Sequence, residues 1–276
     1  MSEPAVATAA ASAEKAPVVE FKNVSKVFRR GGQETVAIKD VSFVVEDLPG
    51  HGEFICILGP SGCGKSTVLR LIGGLEPHHP PTSGEVLVAG QPVIGPGADR
   101  GMVFQDYTSF PNRTVVENVE FGLEIKGLPK AQRREIARSW LAKVGLDKAE
   151  NKFPHELSGG MRQRVAIART LALSPRIILM DEPFGALDPE IRRQMQELLI
   201  QLWAEAQATV FFITHSISEA VYLGDRVYLM RAHPGRLSEE IRLPRPDAPP
   251  AVMAARPEFR ERVAAIEQKV HAPDPG

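Results

Sequence analysis

A glycine-rich loop directly follows an apolar segment in the first quarter of the chain. Residues 59–67 read GPSGCGKST, which fits the pattern G-x-x-x-x-G-K-[ST], and residues 54–58 before them are apolar throughout. In this pattern the glycines let backbone N–H groups turn inward around phosphate oxygens, and the helix that follows adds the positive end of its dipole. The segment therefore predicts a nucleotide-binding loop between a buried strand and a helix.

The side chains of this loop have separate expected roles. Lys65 supplies a positive charge to the β- and γ-phosphates, and Ser66 offers its hydroxyl to Mg²⁺. Cys63 is interpreted as a small filler, since no obvious base accompanies it to make a nucleophile. The nucleotide-binding residues of the loop are predicted to be Gly59, Pro60, Ser61, Gly62, Cys63, Gly64, Lys65, Ser66 and Thr67.

A second apolar segment, residues 177–180, ends in the two carboxylates Asp181 and Glu182. Ligands of open α/β sheets bind at the carboxyl ends of the strands. Asp181 is predicted to hold Mg²⁺, mostly through water, and Glu182 to orient or deprotonate the water that attacks the γ-phosphate. Taken alone, the pattern also fits a strand that ends in solvated acids; the loop at 59–67 favours the functional interpretation.

Gln105 and His215 each follow a further apolar segment, at residues 101–104 and 210–214. If the four strands are parallel neighbours, both side chains reach the γ-phosphate region at the same edge of the sheet. A lone glutamine or histidine in a loop is usually only solvated, so the prediction depends on their shared placement.

The distribution of apolar residues predicts the rest of the fold. Residues 18–28 and 35–45 alternate in part, as strands with one solvated face do, whereas the continuous apolar runs suit parallel strands covered on both faces. A mostly helical stretch at about 108–173 interrupts the alternation of strands and helices. We therefore expect an α/β fold with a mostly parallel sheet, an N-terminal antiparallel β region and an inserted helical subdomain.

The composition of the chain argues against two classes of protein, nucleic-acid binders and membrane-spanning proteins. The 33 lysines and arginines against 34 aspartates and glutamates leave a formal net charge of -1, which argues against an electrostatic nucleic-acid binder. No apolar stretch reaches the roughly 18 residues that span a bilayer. The two cysteines show no zinc spacing and fit a reducing, intracellular compartment.

The ends of the chain differ in composition from its middle. Residues 1–17 are interpreted as a disordered tail, because they lack the basic start and firmly apolar stretch of a signal peptide. Residues 18–245 form the expected main domain. Residues 246–276 are interpreted as a Pro-rich linker, followed by a short amphipathic helix from 257 to about 270.

Histidines away from the strand ends are not expected to bind metal. His78 and His79 stand beside three prolines with no accompanying set of carboxylates or cysteines. They are interpreted as residues of a solvated loop, and His233 is interpreted in the same way.

The segment LSGGMRQR at residues 157–164, together with the motifs above, resembles the nucleotide-binding subunits of ABC transporters. The motifs follow one another in the family's order and spacing: the glycine-rich loop, Gln105, the signature, the carboxylates at 181–182, residues 186–188 and His215. The resemblance covers about residues 18–245. It implies a P-loop NTPase core, the ABC ATPase, that binds ATP with Mg²⁺ and hydrolyses it. Ser158, Gly159 and Gly160 begin a helix and form an anion site, which in the family closes on ATP held by a partner subunit related by a two-fold axis.

The resemblance also implies roles for single residues. Phe28 matches the aromatic residue that stacks on adenine, where the family more often has tyrosine; a buried core phenylalanine is the alternative. Gln105 matches a residue that senses Mg²⁺ and the attacking water and connects to the transmembrane partner. His215 matches a switch histidine on the γ-phosphate, and Asp188 would communicate across the dimer.

Residues 107–119 and 243–246, with the signature, are similar to the nitrate/sulfonate/taurine importer branch. This implies an ATPase that energises uptake of a small solute through a permease on another chain, at the cytoplasmic face of the inner membrane. The implied partners are a second ATPase subunit (the same chain or a close paralogue), the permease and, indirectly, a periplasmic or extracellular solute-binding protein, with no nucleic acid. The alternative is a non-transport ABC ATPase acting on DNA or ribosomes.

Overall fold

The computed structural model describes residues 15–48, 50, 52–105 and 108–272 of the 276-residue chain. In chain order the strands and α-helices are β1 (Val19–Arg30), β2 (Gln33–Val45), β3 (Phe54–Leu58), α1 (Lys65–Gly73), β4 (Ser83–Val88), β5 (Gln91–Pro92), β6 (Arg100–Val103), α2 (Val115–Ile125), α3 (Lys130–Lys143), α4 (Gly159–Leu171), β7 (Ile177–Asp181), α5 (Pro189–Ala206), β8 (Thr209–Ile213), α6 (Ile217–Leu223), β9 (Arg226–Arg231), β10 (Arg236–Arg242), α7 (Pro250–Ala255) and α8 (Pro257–His271). Among these helices, none is long and apolar enough to cross a membrane. Most of the tail predicted at 1–17, and Tyr107 in the segment 107–119, lie outside the described residues.

A six-stranded sheet forms the centre of the chain, in the order β10-β9-β3-β8-β7-β6. Five of its strands are parallel, and β10 pairs antiparallel with β9 at one edge. Every residue of β3, β7 and β8 is buried, as expected for continuous apolar strands covered on both faces. The mostly parallel sheet predicted from sequence is confirmed.

A second, four-stranded antiparallel sheet has the order β2-β1-β4-β5, which confirms the predicted N-terminal β region. Alternate residues of β3 face two different cores. Ile55 and Ile57 pack with β1, β2 and α1, whereas Phe54, Cys56 and Leu58 pack with the helices on the opposite face. Because successive side chains of a strand point to opposite faces, β3 anchors the loop that follows it to both cores.

The helices α2, α3 and α4 contact one another in the part of the chain where the helical insertion is predicted. Thr114 caps α2, accepting from the N–H of Glu117, while the Glu117 carboxylate accepts from the N–H of Thr114; this reciprocal pair satisfies two N–H groups at the start of the helix. Arg134 of α3 donates to both oxygens of the buried Glu120 of α2, at 2.9 and 3.0 Å. The subdomain limits of 108–173 stay a prediction.

The C-terminal region packs on the core, and it contains one more helix than the sequence predicted. The predicted helix is present as α8, but α7 lies where the prolines indicated a linker, because a proline is well tolerated at the first position of a helix. Met253, Phe259 and Ile266 are buried in the same core as α5 and α6. Arg231 of β9 donates to backbone carbonyls near the end of α8.

Candidate functional site

The parallel sheet brings the predicted motifs to one edge. The loop between β3 and α1 opens a cleft of about 410 Å³. Gly64 precedes α1 with a φ of 91°, a conformation that favours glycine. The cleft is lined by Ser61, Gly62, Gly64, Lys65, Ser66 and Thr67 of the loop, by Thr35, Val36 and Ala37 of β2, and by Glu182 and His233.

Lys65 is held across its own loop. Its side chain is only 7% exposed, and Nζ donates to the carbonyls of Gly59 at 2.8 Å and Pro60 at 3.0 Å. These carbonyls satisfy the ammonium in part, and phosphate oxygens would offer stronger, charged acceptors. Cys63 is buried and burial raises the pKa of its thiol, which fits the interpretation of this residue as a filler rather than a nucleophile.

Ser66, which lines the cleft, contacts Asp181 at the end of β7. The hydroxyl of Ser66 donates to Asp181 Oδ1 at 2.9 Å, and Arg70 of α1 lies 3.6 Å from Oδ2. Burial raises the pKa of the Asp181 carboxyl, with Ser66 and Arg70 acting in the opposite direction. A hydroxyl beside a carboxylate is a pair of hard oxygen donors, the kind that Mg²⁺ prefers. The two residues therefore fit the predicted magnesium site.

Glu182 has an unusual, left-handed backbone conformation. Its φ is 46°, and left-handed conformations of non-glycine residues cluster at functional sites. Its Oε2 lies 3.5 Å from Nδ1 of His215. A methyl group built on Gly185 would lie 3.8 Å from that same oxygen and 3.7 Å from Nε2 of Gln105. The structure thus brings Glu182, His215 and Gln105 together at the strand ends.

Phe28 lies beside the cleft rather than in a core. It is half-buried and belongs to neither buried apolar cluster. Its cross-strand partner is Thr35, which lines the cleft, and its ring packs edge-on against His78 at 5.1 Å. The structure therefore excludes the alternative of a core phenylalanine.

His78 and His79 were interpreted as solvated, but both are half-buried in the structure. The Nδ1 atom of each ring is out of contact with water.

The signature residues lie apart from the cleft. Ser158 caps α4, accepting from the N–H of Met161 at 3.3 Å. Methyl groups built on Gly159 and Gly160 would contact Leu187 and Ile191, at the start of α5. None of the three signature residues lines the cleft of its own chain. Asp188 caps α5 with one carboxylate oxygen, which accepts from the N–H groups of Glu190 and Ile191.

Sequence reasoning missed one wall of the cleft. His233, interpreted as a solvated loop residue, is exposed but lines the cleft from the β9–β10 turn. The turn is tied to β2, since the N–H of Gly235 donates to the carbonyl of Ala37 and the N–H of Lys39 donates to the carbonyl of Gly235. A Cβ on Gly235 would lie 2.3 Å from the carbonyl oxygen of Cys63. This close approach requires glycine at position 235, but no local sequence pattern predicts that the turn lies against the cleft.

Comparisons with known proteins agree with this geometry. The family model described as ABC transporter matches residues 38–185. The chain is 48% identical over 223 residues to the nitrate import ATP-binding protein NrtD of Synechocystis sp., covering 81% of each chain. It is also 48% identical over 207 residues to the taurine import ATP-binding protein TauB of Escherichia coli, covering 75% of this chain and 78% of TauB.

A solved structure leads to the same family. The dimeric ATP-binding cassette MJ0796, in a post-hydrolysis state bound to ADP and phosphate, superposes with a TM-score of 0.70 at 36% identity. That match covers 82% of this chain and 99% of the cassette. The cleft described above is lined by the glycine-rich loop and by Glu182, and His215 lies 3.5 Å from the Glu182 carboxylate. The chain therefore belongs to the ABC transporter family, as an ATP-binding subunit that hydrolyses ATP.

Proposed function

We propose that this chain is the ATPase that drives uptake of a small anionic or zwitterionic solute, of the nitrate, sulfonate or taurine kind, through a permease on a separate chain. The observation that carries the proposal is the 48% identity to two subunits named for nitrate import and taurine import. The non-transport alternative has no comparable support, and the net charge of -1 gives no surplus for binding nucleic acid.

Each predicted residue in or near the cleft has a separate task in the proposed hydrolysis. Lys65 exchanges its loop carbonyls for the β- and γ-phosphate oxygens of ATP. Ser66, Asp181 and Gln105 would hold Mg²⁺, and the ion when bound neutralises phosphate charge. Glu182 accepts the proton of the attacking water, and His215 contacts the γ-phosphate.

The hydrolytic unit is a pair of subunits. The signature at Ser158, Gly159 and Gly160 does not line the cleft of its own chain, so a second subunit is needed to bring a signature to each bound ATP. Such a pair is isologous, with two equivalent sites related by a two-fold axis. The partner is a second copy of the chain or a close paralogue, and Asp188, beside the signature, communicates between the two sites.

The two subunits of the pair are peripheral membrane proteins at the cytoplasmic face of the inner membrane. Gln105 connects the cleft to the permease, and a periplasmic or extracellular solute-binding protein delivers the solute to the other side. The organisation proposed is a tail at 1–17, an ABC ATPase domain at 18–245 with its helical subdomain at about 108–173, and a C-terminal region at 246–276.

Phe28→Ala is expected to weaken ATP binding by about 5- to 150-fold, because stacking on a base contributes roughly 1–3 kcal/mol. Inorganic tripolyphosphate, which has no base, should bind equally well to the variant and the wild type. Titration of both ligands measures this. Phe153→Ala is the matched control, since Phe153 is also a partly exposed phenylalanine whose ring packs against a histidine. Equal losses for ATP and tripolyphosphate would contradict the adenine-stacking role.

Transport itself is tested with the intact membrane complex. A tagged chain purified from detergent-solubilised membranes is expected to bring a permease with it. When this complex is reconstituted in lipid vesicles, the vesicles should take up nitrate or taurine only with ATP inside them and the solute-binding protein outside. Recovery of the chain on ribosomes or DNA, with no permease in the membrane fraction, would overturn the proposal.

A further inference from the structure

A buried carboxylate that the mechanism does not use lies behind the switch histidine. Glu219, on α6, is only 5% exposed. It borders the same small cavity as Glu182 and His215, yet it does not line the ATP cleft. A buried carboxylate is costly unless its oxygens are hydrogen-bonded, so its partners indicate why it is there.

Two elements donate to this carboxylate. The hydroxyl of Thr214, the residue before His215, donates to Glu219 Oε2, and the side-chain amide of Gln196 on α5 donates to Oε1 at 3.0 Å. The N–H of Glu219 in turn donates to the hydroxyl of Ser216 at 3.3 Å. Glu219 thereby connects both residues that flank His215 to α5 and α6.

The direction of these hydrogen bonds is determined by the donors. The N–H of Ser216 donates to Thr214 Oγ1 at 3.0 Å, so the single proton of that hydroxyl is free to point at Glu219. Burial raises the pKa of the Glu219 carboxyl, and the bonds from Thr214 and Gln196 oppose this shift because they favour the ionised form. An acceptor at this position therefore sets the orientation of Thr214 and, through Ser216, the path of the backbone on both sides of His215.

We propose that Glu219 is a positioning residue for His215: it accepts from Thr214 and Gln196 and so holds the 214–216 segment in the conformation in which the imidazole meets the γ-phosphate. The inference rests on the function proposed for His215. Since Glu219 does not reach the ATP cleft, it acts on the rate of hydrolysis and not on the affinity for ATP.

Glu219→Gln is the direct test. The amide is the same size but presents a donor where two acceptors are needed, and we expect kcat for ATP hydrolysis to fall about tenfold while KM for ATP changes less than about twofold. Thr214→Val, which deletes the hydroxyl without changing the shape, should give the same split. Thr214→Ser keeps the hydroxyl and should retain the wild-type kcat. Circular dichroism and thermal melting identify variants that fail to fold, and the threonine pair tests the proposal if Glu219→Gln is one of them.

A double-mutant cycle distinguishes positioning from a general structural effect. In a His215→Ala background, Glu219→Gln or Thr214→Val should lower kcat by less than about twofold further, because the group they position is gone. If His215→Ala is slow and a further tenfold decrease persists in that background, this inference alone is overturned. If His215→Ala hydrolyses ATP at the wild-type rate, the function proposed for His215 fails and the positioning role fails with it. A raised KM with unchanged kcat in Glu219→Gln would also overturn it.

Discussion

Glu182→Gln is expected to bind ATP as tightly as the wild type and to hydrolyse it at least 100-fold more slowly, since general base catalysis contributes about 10²–10⁴-fold. The amide keeps the size of the carboxylate beside His215 but cannot accept the proton of the attacking water. In the proposed pair of subunits, ATP binding closes the dimer and hydrolysis releases it, so the variant should accumulate as a dimer when ATP is added. Phosphate release and light scattering with size-exclusion chromatography measure the two effects.

Glu205→Gln serves as the matched control, because Glu205 is an exposed glutamate near the end of α5, paired with Lys143. It should release phosphate at the wild-type rate and dissociate normally. Wild-type phosphate release from Glu182→Gln would exclude Glu182 as the base. Slow release without an ATP-dependent dimer would leave the base in place and contradict the composite site built from two subunits.

Lys65→Ala should abolish most of the affinity for ATP. Hydrogen bonds to charged groups contribute about 1.5–3 kcal/mol each, so the loss of two of them to phosphate oxygens corresponds to roughly 100-fold or more in Kd. In the structure Nζ points across the loop to the carbonyls of Gly59 and Pro60, so we expect ATP binding to exchange these acceptors for phosphate oxygens. Titration calorimetry with Mg-ATP measures the change.

Lys39→Ala is the control for Lys65→Ala, because Lys39 lies on β2 close to the cleft but is exposed to solvent. Its removal changes the net charge equally and should leave Kd nearly unchanged. Unaltered ATP binding by Lys65→Ala would remove this lysine from the phosphate site. A melting temperature far below that of the wild type would instead indicate that the two loop carbonyls need the ammonium for folding.

The strand ends were predictable because their signal is local. Residues 54–58 and 177–180 are continuous apolar runs, each followed by polar residues that such a strand does not need for packing. Parallel pairing then places those polar residues at one edge, since parallel strands end on the same side. The contact between Ser66 and Asp181, which are 115 positions apart, follows from that rule.

The missed parts of the site have no such local signal. His233 sits in an ordinary Pro-Gly turn, and only the pairing of Gly235 with Ala37 brings it to the cleft. The residues of β2 that line the cleft read simply as part of an alternating strand. The prolines before α7 were interpreted as linker residues. Whether a short helix forms after them depends on tertiary packing of its apolar face, here that of Met253, and the sequence does not show this packing.

The amino-acid sequence determined the chemistry of this protein: a phosphate loop after a buried strand, two carboxylates at the end of another, and a second glycine-rich anion site. Tertiary structure alone decided which side chains meet away from the ends of the parallel strands. Glu219 comes to lie behind His215, and the signature stays out of the cleft of its own chain. The physical reason is that backbone conformation follows local residue patterns, whereas contacts between distant segments depend on how two cores pack against the faces of one sheet.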